Sequence, residues 1–305
     1  MLRIRLIALF GALFLLIGAA CGGEDTGANA PSRDTEDTAD DAAEDNGEEA
    51  TGLLAAVQNA GVLRVSTDPA YPPQSSLNED GEYEGFDIDV ATEIANRLGV
   101  EIAWETPAWD TITAGNWSGR WDVSVGSMTV TPERAEVLHF TPAYYYTPAS
   151  VAVHADNTDI TDVETDLDGK KIGVCSGCTY DFYLEKSLEI PGEEIEFVID
   201  DAEIKGYDTD SSAINDLEIG DGRRLDAAIS ATPTLEGAVE KGKAIKIVGD
   251  PIFYEPLAVA IDRNAPEDPQ PLVDAISAII EEMHADGTLT ELSMKWYGTD
   301  LTTKV

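Results

Sequence analysis

Basic residues are scarce in this chain. There are 19 Lys and Arg against 59 Asp and Glu among 305 residues, a formal net charge of −40. Nucleic acid and anionic lipid surfaces are therefore poor partners. Histidine is nearly missing: His139, His154 and His284 stand alone, without metal-ligand spacing and without a Ser-His-Asp order around them. No catalytic residue, metal site or cofactor is expected. Cysteine is limited to three residues. Cys175 and Cys178 form a single Cys-x-x-Cys; a structural zinc needs a second ligand pair, and no thioredoxin-like pattern surrounds this one. A local disulfide in an exported chain fits better. Long apolar runs are lacking as well. The longest, Leu6 to Ala20, has 15 residues, short of the ~20 that span a bilayer.

That run has another reading. Arg3 and Arg5 precede it and Gly18-Ala19-Ala20 ends it, the pattern of a secretory signal peptide over residues 1–20. Cys21 is then either an ordinary cysteine or the lipidated first residue of a lipoprotein. Gly18-Ala19-Ala20-Cys21 resembles a lipobox, with Gly18 where leucine is usual. Acyl chains on Cys21 would anchor the chain. Residues 21–51 follow as an acidic linker. Between Glu24 and Ala50 it holds 11 acids and one base, Arg33, and no aromatic residue. Such a segment cannot bury enough apolar surface to fold and is expected to be disordered and extended.

The remaining body, 52–305, suits two lobes better than one core. It keeps 48 acids and 16 bases. A solvated acidic surface or a cationic ligand would each explain that. Val62–Ser66 reads as a strand, Asp68–Pro73 as a proline-rich loop and Asn78–Gly81 as a turn. Gly85-Phe86-Asp87-Ile88-Asp89 opens an amphipathic helix with Val90, Ile94 and Leu98 on one face and Gly99 as C-cap. Alternation at Val100, Ile102 and Trp104 marks a strand, followed by a helix near Thr111–Gly115 and a strand near Asp122–Val125. A second strand-helix series begins near Ser150: Val151–Val153, Lys171–Val174, a helix over Thr179–Leu188, then strands at Glu196–Ile199, Ala227–Ile229, Ile245–Val248 and Leu257–Ile261. Pro271 opens a helix with Val273, Ile276, Ile280 and Met283 inward, and a last helix carries Leu289, Leu292 and Trp296. This rhythm predicts an α/β fold with parallel pairing.

One local choice runs against preference. In Thr131-Pro132-Glu133-Arg134, Thr131 reads as N-cap and Pro132 as N1, so Arg134 falls in a first helical turn where positive charge opposes the macrodipole. Its bland role is a surface pair with Glu133 or Glu136.

Gly85 to Gly99, together with Ser127–Arg134 and the order of the other segments, closely resembles the extracytoplasmic solute-binding proteins of polar-amino-acid ABC importers, the family 3 type. The resemblance covers about 52–300. It implies a two-lobed periplasmic-binding-protein-like fold with two hinge strands. Lobe 1 would be 52–149 plus 254–305 and lobe 2 would be 150–253. It also implies a site. Tyr71 would form one aromatic wall with Asp68 close by, and Trp109 in Pro107-Ala108-Trp109-Asp110 the opposite wall. Arg134 would grip a ligand carboxylate, helped by Ser127 and Thr129. Gly173–Thr179 resembles a Gly-x-x-x-Gly-Thr-Thr anion loop in which Cys178 replaces the first threonine and Thr179 meets the carboxylate. Trp104, Trp117 and Trp121 are expected to be packing residues. Where amino-acid binders place an aspartate for the α-ammonium group, this chain has Ala231. Either Asp68 or Asp210 substitutes, or the ligand lacks that ammonium. Asp226 reads as structural.

The expected function is capture of a small carboxylate-bearing solute, an amino acid or derivative, outside the cytoplasm. The protein would be a lipid-anchored monomer serving an ABC permease, and not an enzyme. The alternatives are a sensor domain, which would ordinarily run on into a membrane helix beyond Val305, and an exported dehydratase-like enzyme.

Overall fold

The computed structural model describes residues 50–304. The signal peptide, Cys21 and nearly all of the acidic linker lie outside the described residues. The order of elements begins α1 (Gly52–Ala60), β1 (Val62–Ser66), β2 (Ala70–Tyr71), β3 (Ser75–Leu77), β4 (Tyr83–Glu84), α2 (Phe86–Leu98), β5 (Glu101–Glu105), α3 (Trp109–Thr113) and β6 (Val123–Thr129). It continues α4 (Pro132–Val137), β7 (Leu138–His154), β8 (Lys170–Cys175), α5 (Thr179–Leu184), β9 (Ala202–Tyr207), α6 (Asp210–Glu218), β10 (Ala227–Ala231) and α7 (Thr232–Glu240). The last three are β11 (Ile245–Asp262), α8 (Gln270–Ala285) and α9 (Thr288–Tyr297).

Strands β2, β3 and β4 form a small antiparallel sheet. The other eight form one curled sheet, in the order β5-β1-β6-β11-β7-β10-β8-β9. Two parallel triplets, β5-β1-β6 and β10-β8-β9, flank a central antiparallel pair, β11-β7. Parallel strands need helical crossovers, which is what the alternating sequence supplies. The long central strands pass between two cores. On β7, Tyr145 belongs to the first core and Ala149 to the second; on β11, Leu257 belongs to the first and Phe253 to the second. The ladder between these strands shifts register between Val248 and Phe253. The architecture is two-lobed, and its two connecting strands are β7 and β11.

The first core takes Leu63, Val65, Val90, Ile94, Ile276 and Ile280, all fully buried. Each such aliphatic side chain contributes roughly 1.5–3 kcal/mol by leaving water. Entry into α2 depends on Gly85. Its φ is 137°, and a Cβ there would meet the Gln74 carbonyl oxygen at 2.2 Å. This close approach lets Phe86 N–H donate to Pro73 O at 3.1 Å and Asp87 N–H to Gln74 O at 2.9 Å. Gly99 closes the helix in the left-handed region.

The second series departs from expectation in two places. The helix expected over Thr179–Leu188 stops at Leu184. Lys186 turns to φ 60°, and the N–H groups of Ser187 and Leu188 both return to Phe182 O. Glu196–Ile199, expected as a strand, is irregular. The Tyr183 hydroxyl donates to Glu196 O and accepts from Val198 N–H, each at 3.0 Å, so these backbone groups are satisfied without a ladder. The edge beside β8 is taken instead by β9, which pairs in parallel from Lys170 to Cys175.

Candidate functional site

Between the two cores lies a small cavity of about 50 Å³. Asp68, Tyr71, Trp109, Ser127, Thr129, Arg134 and Thr179 all line it. They come from loops and strand ends of both series. Asp68 and Tyr71 follow β1, Trp109 opens α3, and Ser127 and Thr129 end β6. Arg134 lies on α4, and Thr179 opens α5.

Arg134 is the charged centre. Thr131 caps α4, accepting Arg134 N–H at 3.3 Å, and Pro132 occupies N1. The side chain is only 4% exposed. Nη1 donates to Thr129 O at 2.9 Å and Nη2 to Gly177 O at 3.1 Å. The guanidinium lies 5.2 Å from the Trp109 ring centroid and 5.9 Å from that of Phe182. Burial pulls its pKa down to about 10, partly offset by Glu255 and Glu133, so it stays charged at neutral pH. Its bonds go to carbonyls, and it forms no ion pair with Glu133, Glu136 or any other acid among the described residues. A buried cation without a direct ion-pair partner is costly, and an incoming anion would relieve that cost.

Gly177 O also accepts Trp109 Nε1–H at 3.3 Å, fixing the indole against the guanidinium. The hydroxyls of Tyr71 and Tyr180 meet at 3.4 Å. Trp117 and Trp121 are buried in a separate packing cluster, and Trp104 packs against the first core.

Three features of the site were not legible locally. The first is Glu255 on β11, 2% exposed. Its Oε1 accepts the hydroxyls of Thr129, at 3.2 Å, and Thr179; its Oε2 accepts Tyr180 OH at 3.2 Å. Both threonine hydroxyls expected to face a ligand carboxylate thus hold the protein's own carboxylate. Desolvation raises the Glu255 pKa, and the hydroxyl donors and Arg134 oppose the rise. An acid at the head of the apolar run Pro256–Ile261 was the available signal.

The second is the commitment of Ser127. Its hydroxyl donates to Asp87 Oδ2 at 2.7 Å and meets the Tyr145 hydroxyl at 2.5 Å, while its N–H donates to Tyr144 OH at 3.1 Å. Tyr144 OH in turn donates to Asp87 Oδ1 at 2.7 Å. The donors of Ser127 therefore serve the scaffold beneath the cavity. Asp87 is fully buried, and desolvation lifts its pKa to about 7 against the Tyr144 and Ser127 hydrogen bonds.

The third is the acidity of the cavity. Asp68, Asp208, Asp210 and Glu255 line it against the single cation Arg134. Asp68 accepts Ala70 N–H at 2.7 Å in a local turn, and desolvation raises its pKa. Asp210 is 6% exposed, and its Oδ1 is buried without a hydrogen-bond partner. Its pKa rises to about 7 through desolvation, with Asp68 and Glu255 adding like charge and Ser230 opposing.

Cys175 and Cys178 are joined as a disulfide at the cavity wall. Their sulfurs lie within 4.8 Å of an Asp210 oxygen, but bonded to each other they offer no thiolate to a cation. Asp226 is structural: its Oδ2 accepts Lys171 N–H at 2.8 Å.

The chain and its fold are similar to those of known proteins. The L-cystine-binding protein of Escherichia coli strain K12 is 31% identical over 252 residues, covering 82% of this chain and 88% of that protein. An ancestral arginine-binding protein bound to arginine superposes with a TM-score of 0.66 at 31% identity, over 78% of this chain and 98% of the other. An ancestral amino acid-binding protein, a precursor of cyclohexadienyl dehydratase, gives 0.69 at 28% identity, over 80% and 99%. Residues 63–299 match the bacterial extracellular solute-binding proteins, family 3. The chain belongs to that family.

Proposed function

We propose that this protein captures a small carboxylate-bearing solute, an amino acid or derivative, outside the cytoplasm and delivers it to an ABC permease. It acts as a monomer tethered through a lipid on Cys21. Lobe 1 comprises 52–149 plus 254–305 and lobe 2 comprises 150–253, and closure of the lobes presents both to the permease. The observation that carries this reading is Arg134, a buried guanidinium lining the cavity with no ion-pair partner among the described residues. Relatives named for cystine, arginine and histidine binding support the amino-acid class.

Thermal unfolding in the presence of L-arginine, L-histidine and a wider panel of amino acids tests it, because a ligand that binds only the folded state raises the midpoint. Wild-type protein is expected to respond to at least one member, and Arg134→Ala to none. Undiminished stabilisation of Arg134→Ala by the same amino acid rejects the role given to Arg134.

A second reading draws on Asp210, an acid held near neutrality inside the cavity, and on the structural neighbour that precedes a dehydratase. An enzyme would use such a group as general acid or base. Recovery of each bound amino acid unchanged after long incubation favours capture; a dehydrated or deaminated product favours catalysis.

A further inference from the structure

The disulfide in the cavity wall has no part in the capture described above. Cys175 ends β8 and Cys178 stands at the N-cap of α5, with only Ser176 and Gly177 between them. Gly177 makes this short loop's contact with the rest of the site. Its carbonyl oxygen accepts Arg134 Nη2–H at 3.1 Å and Trp109 Nε1–H at 3.3 Å. Arg134 and Trp109 belong to the first strand-helix series and Gly177 to the second, so one carbonyl joins the two. The other side-chain bond of Arg134, to Thr129 O, stays within its own series.

Little else holds that carbonyl. Gly177 N–H donates to Asp181 Oδ2 at 2.9 Å, Ser176 N–H to Tyr207 O at 2.9 Å and Cys178 N–H to Cys175 O at 3.3 Å. Ser176 is exposed, and Gly177 sits at φ 70° with open space where a Cβ would point. Packing therefore restrains Gly177 weakly, and glycine has the widest backbone freedom of any residue. The covalent link from Cys175 to Cys178 is the firmest restraint on the loop. Both cysteines line the cavity. Cys175 is buried and Cys178 half-buried, so Cys178 Sγ is the sulfur open to attack.

We propose that this disulfide is a redox switch on the cavity. Oxidised, it holds Gly177 O as the shared acceptor of Arg134 and Trp109. A small thiol outside the cytoplasm reduces it. The thiolate attacks Cys178 Sγ, a mixed disulfide forms, and Cys175 Sγ leaves as a thiolate that takes up a proton. A second thiolate attacks the mixed disulfide at the sulfur of the first and releases Cys178, which is protonated in turn. Two small thiols become one disulfide and the protein disulfide becomes two thiols, a transfer of two electrons. In the freed loop Gly177 O leaves Arg134 and Trp109, and the cavity weakens its hold on a ligand carboxylate. That last consequence rests on the amino-acid reading above; the release of the loop does not.

The experiment uses the full chain in three forms: oxidised, reduced with dithiothreitol, and Cys175→Ser/Cys178→Ser, which lacks the bond without any reductant. Acrylamide quenching of tryptophan fluorescence reads the loop in the absence of ligand, with the Trp109 contribution taken as the difference from the same forms carrying Trp109→Phe. Trp109 is expected to become severalfold more accessible in the reduced and serine forms, and re-oxidation with oxidised glutathione is expected to restore the starting value. Reduced wild type carries the test if the serine form does not fold. Calorimetry with L-arginine and L-histidine reads the cavity well below the unfolding temperature. The affinity of the amino acid that binds is expected to fall ~10-fold or more on reduction, the size of a lost hydrogen bond to a charged group. By linkage, that amino acid is expected to shift the thiol–disulfide equilibrium in a glutathione buffer towards the disulfide by the same factor. A merely structural staple lowers the unfolding midpoint but leaves Trp109 accessibility and the affinity of the folded protein unchanged, and that result overturns the inference. If neither amino acid binds the oxidised protein, the amino-acid reading loses its support, and Trp109 accessibility alone upholds or rejects the switch.

Discussion

Asp87 and Asp210 are alike in burial and opposite in company. Both are almost wholly withdrawn from water and both have their pKa pushed to about 7, chiefly by desolvation. Asp87 sits under the cavity floor with both oxygens taken, one by Tyr144 and one by Ser127, in a network that also ties in Tyr145. Asp210 lines the cavity with one oxygen, Oδ1, outside strict hydrogen-bond geometry, and the Ser230 hydroxyl is the side-chain donor beside its carboxylate. A buried acid whose bonds are complete holds a fold together, because each member of its network fixes the others. A buried acid whose bonds are incomplete costs the fold more than it returns. Burial and pKa do not separate the two cases; the inventory of donors does.

The comparison breaks most readily through stability. Asp87→Asn is expected to destabilise the ligand-free protein by ~1–3 kcal/mol, since an amide cannot accept from both hydroxyls as the carboxylate does. Asp210→Asn is expected to be neutral or stabilising, because it removes an unmatched charge. Urea unfolding at neutral pH measures both, and a comparable loss in the two variants would erase the distinction.

The next effect is one of pH. For both acids the folded pKa, about 7, lies above that of an unfolded aspartate. Between roughly pH 4 and pH 7 the folded state therefore binds more protons, and stability declines as pH rises through that window, by up to ~1.4 kcal/mol per pH unit for each group. Asp68 and Glu255, also raised and facing Asp210, add to the same trend. The advantage of Asp210→Asn over wild type is expected to be largest near pH 8 and to shrink towards pH 5. An advantage independent of pH contradicts a raised Asp210.

The smallest effect sharpens the contrast from outside. Asp89, two residues beyond Asp87 on α2, accepts Lys295 Nζ and Trp296 Nε1–H, each at 2.6 Å, and the Lys295 side chain is 56% exposed. Lys295→Ala is expected to cost less than ~1 kcal/mol, as exposed pairs do. Thermal unfolding at low and high salt checks it. A loss matching that of Asp87→Asn would mean that exposure is a poor guide here.

Much of the fold could be read from local pattern. The run from Val90 to Gly99 forms its helix with the expected face inward, and Thr131-Pro132 starts α4 as its residue types dictate. Tyr71, Trp109, Arg134 and Thr179 each stand in a short motif, so they could be named before it was known that one cavity gathers them. Glu196–Ile199 was misread because its alternation mimics a strand, while its backbone partner is the Tyr183 hydroxyl, 13 residues before Glu196. Glu255 could not be placed because it meets Thr179 across 76 residues.

The sequence by itself determined the α/β rhythm, the turns that need glycine, the helix caps and the strong excess of acid, because these depend on neighbours a few bonds away. Its resemblance to the family also implied that Ala231 stands where an acid is customary, so that either Asp68 or Asp210 substitutes or the ligand lacks the ammonium. Only the tertiary structure sets the surroundings of each. Desolvation and donor supply are set by residues far apart in the chain: Asp68 finds its donor two residues on, whereas the donor nearest the Asp210 carboxylate is the Ser230 hydroxyl of another element.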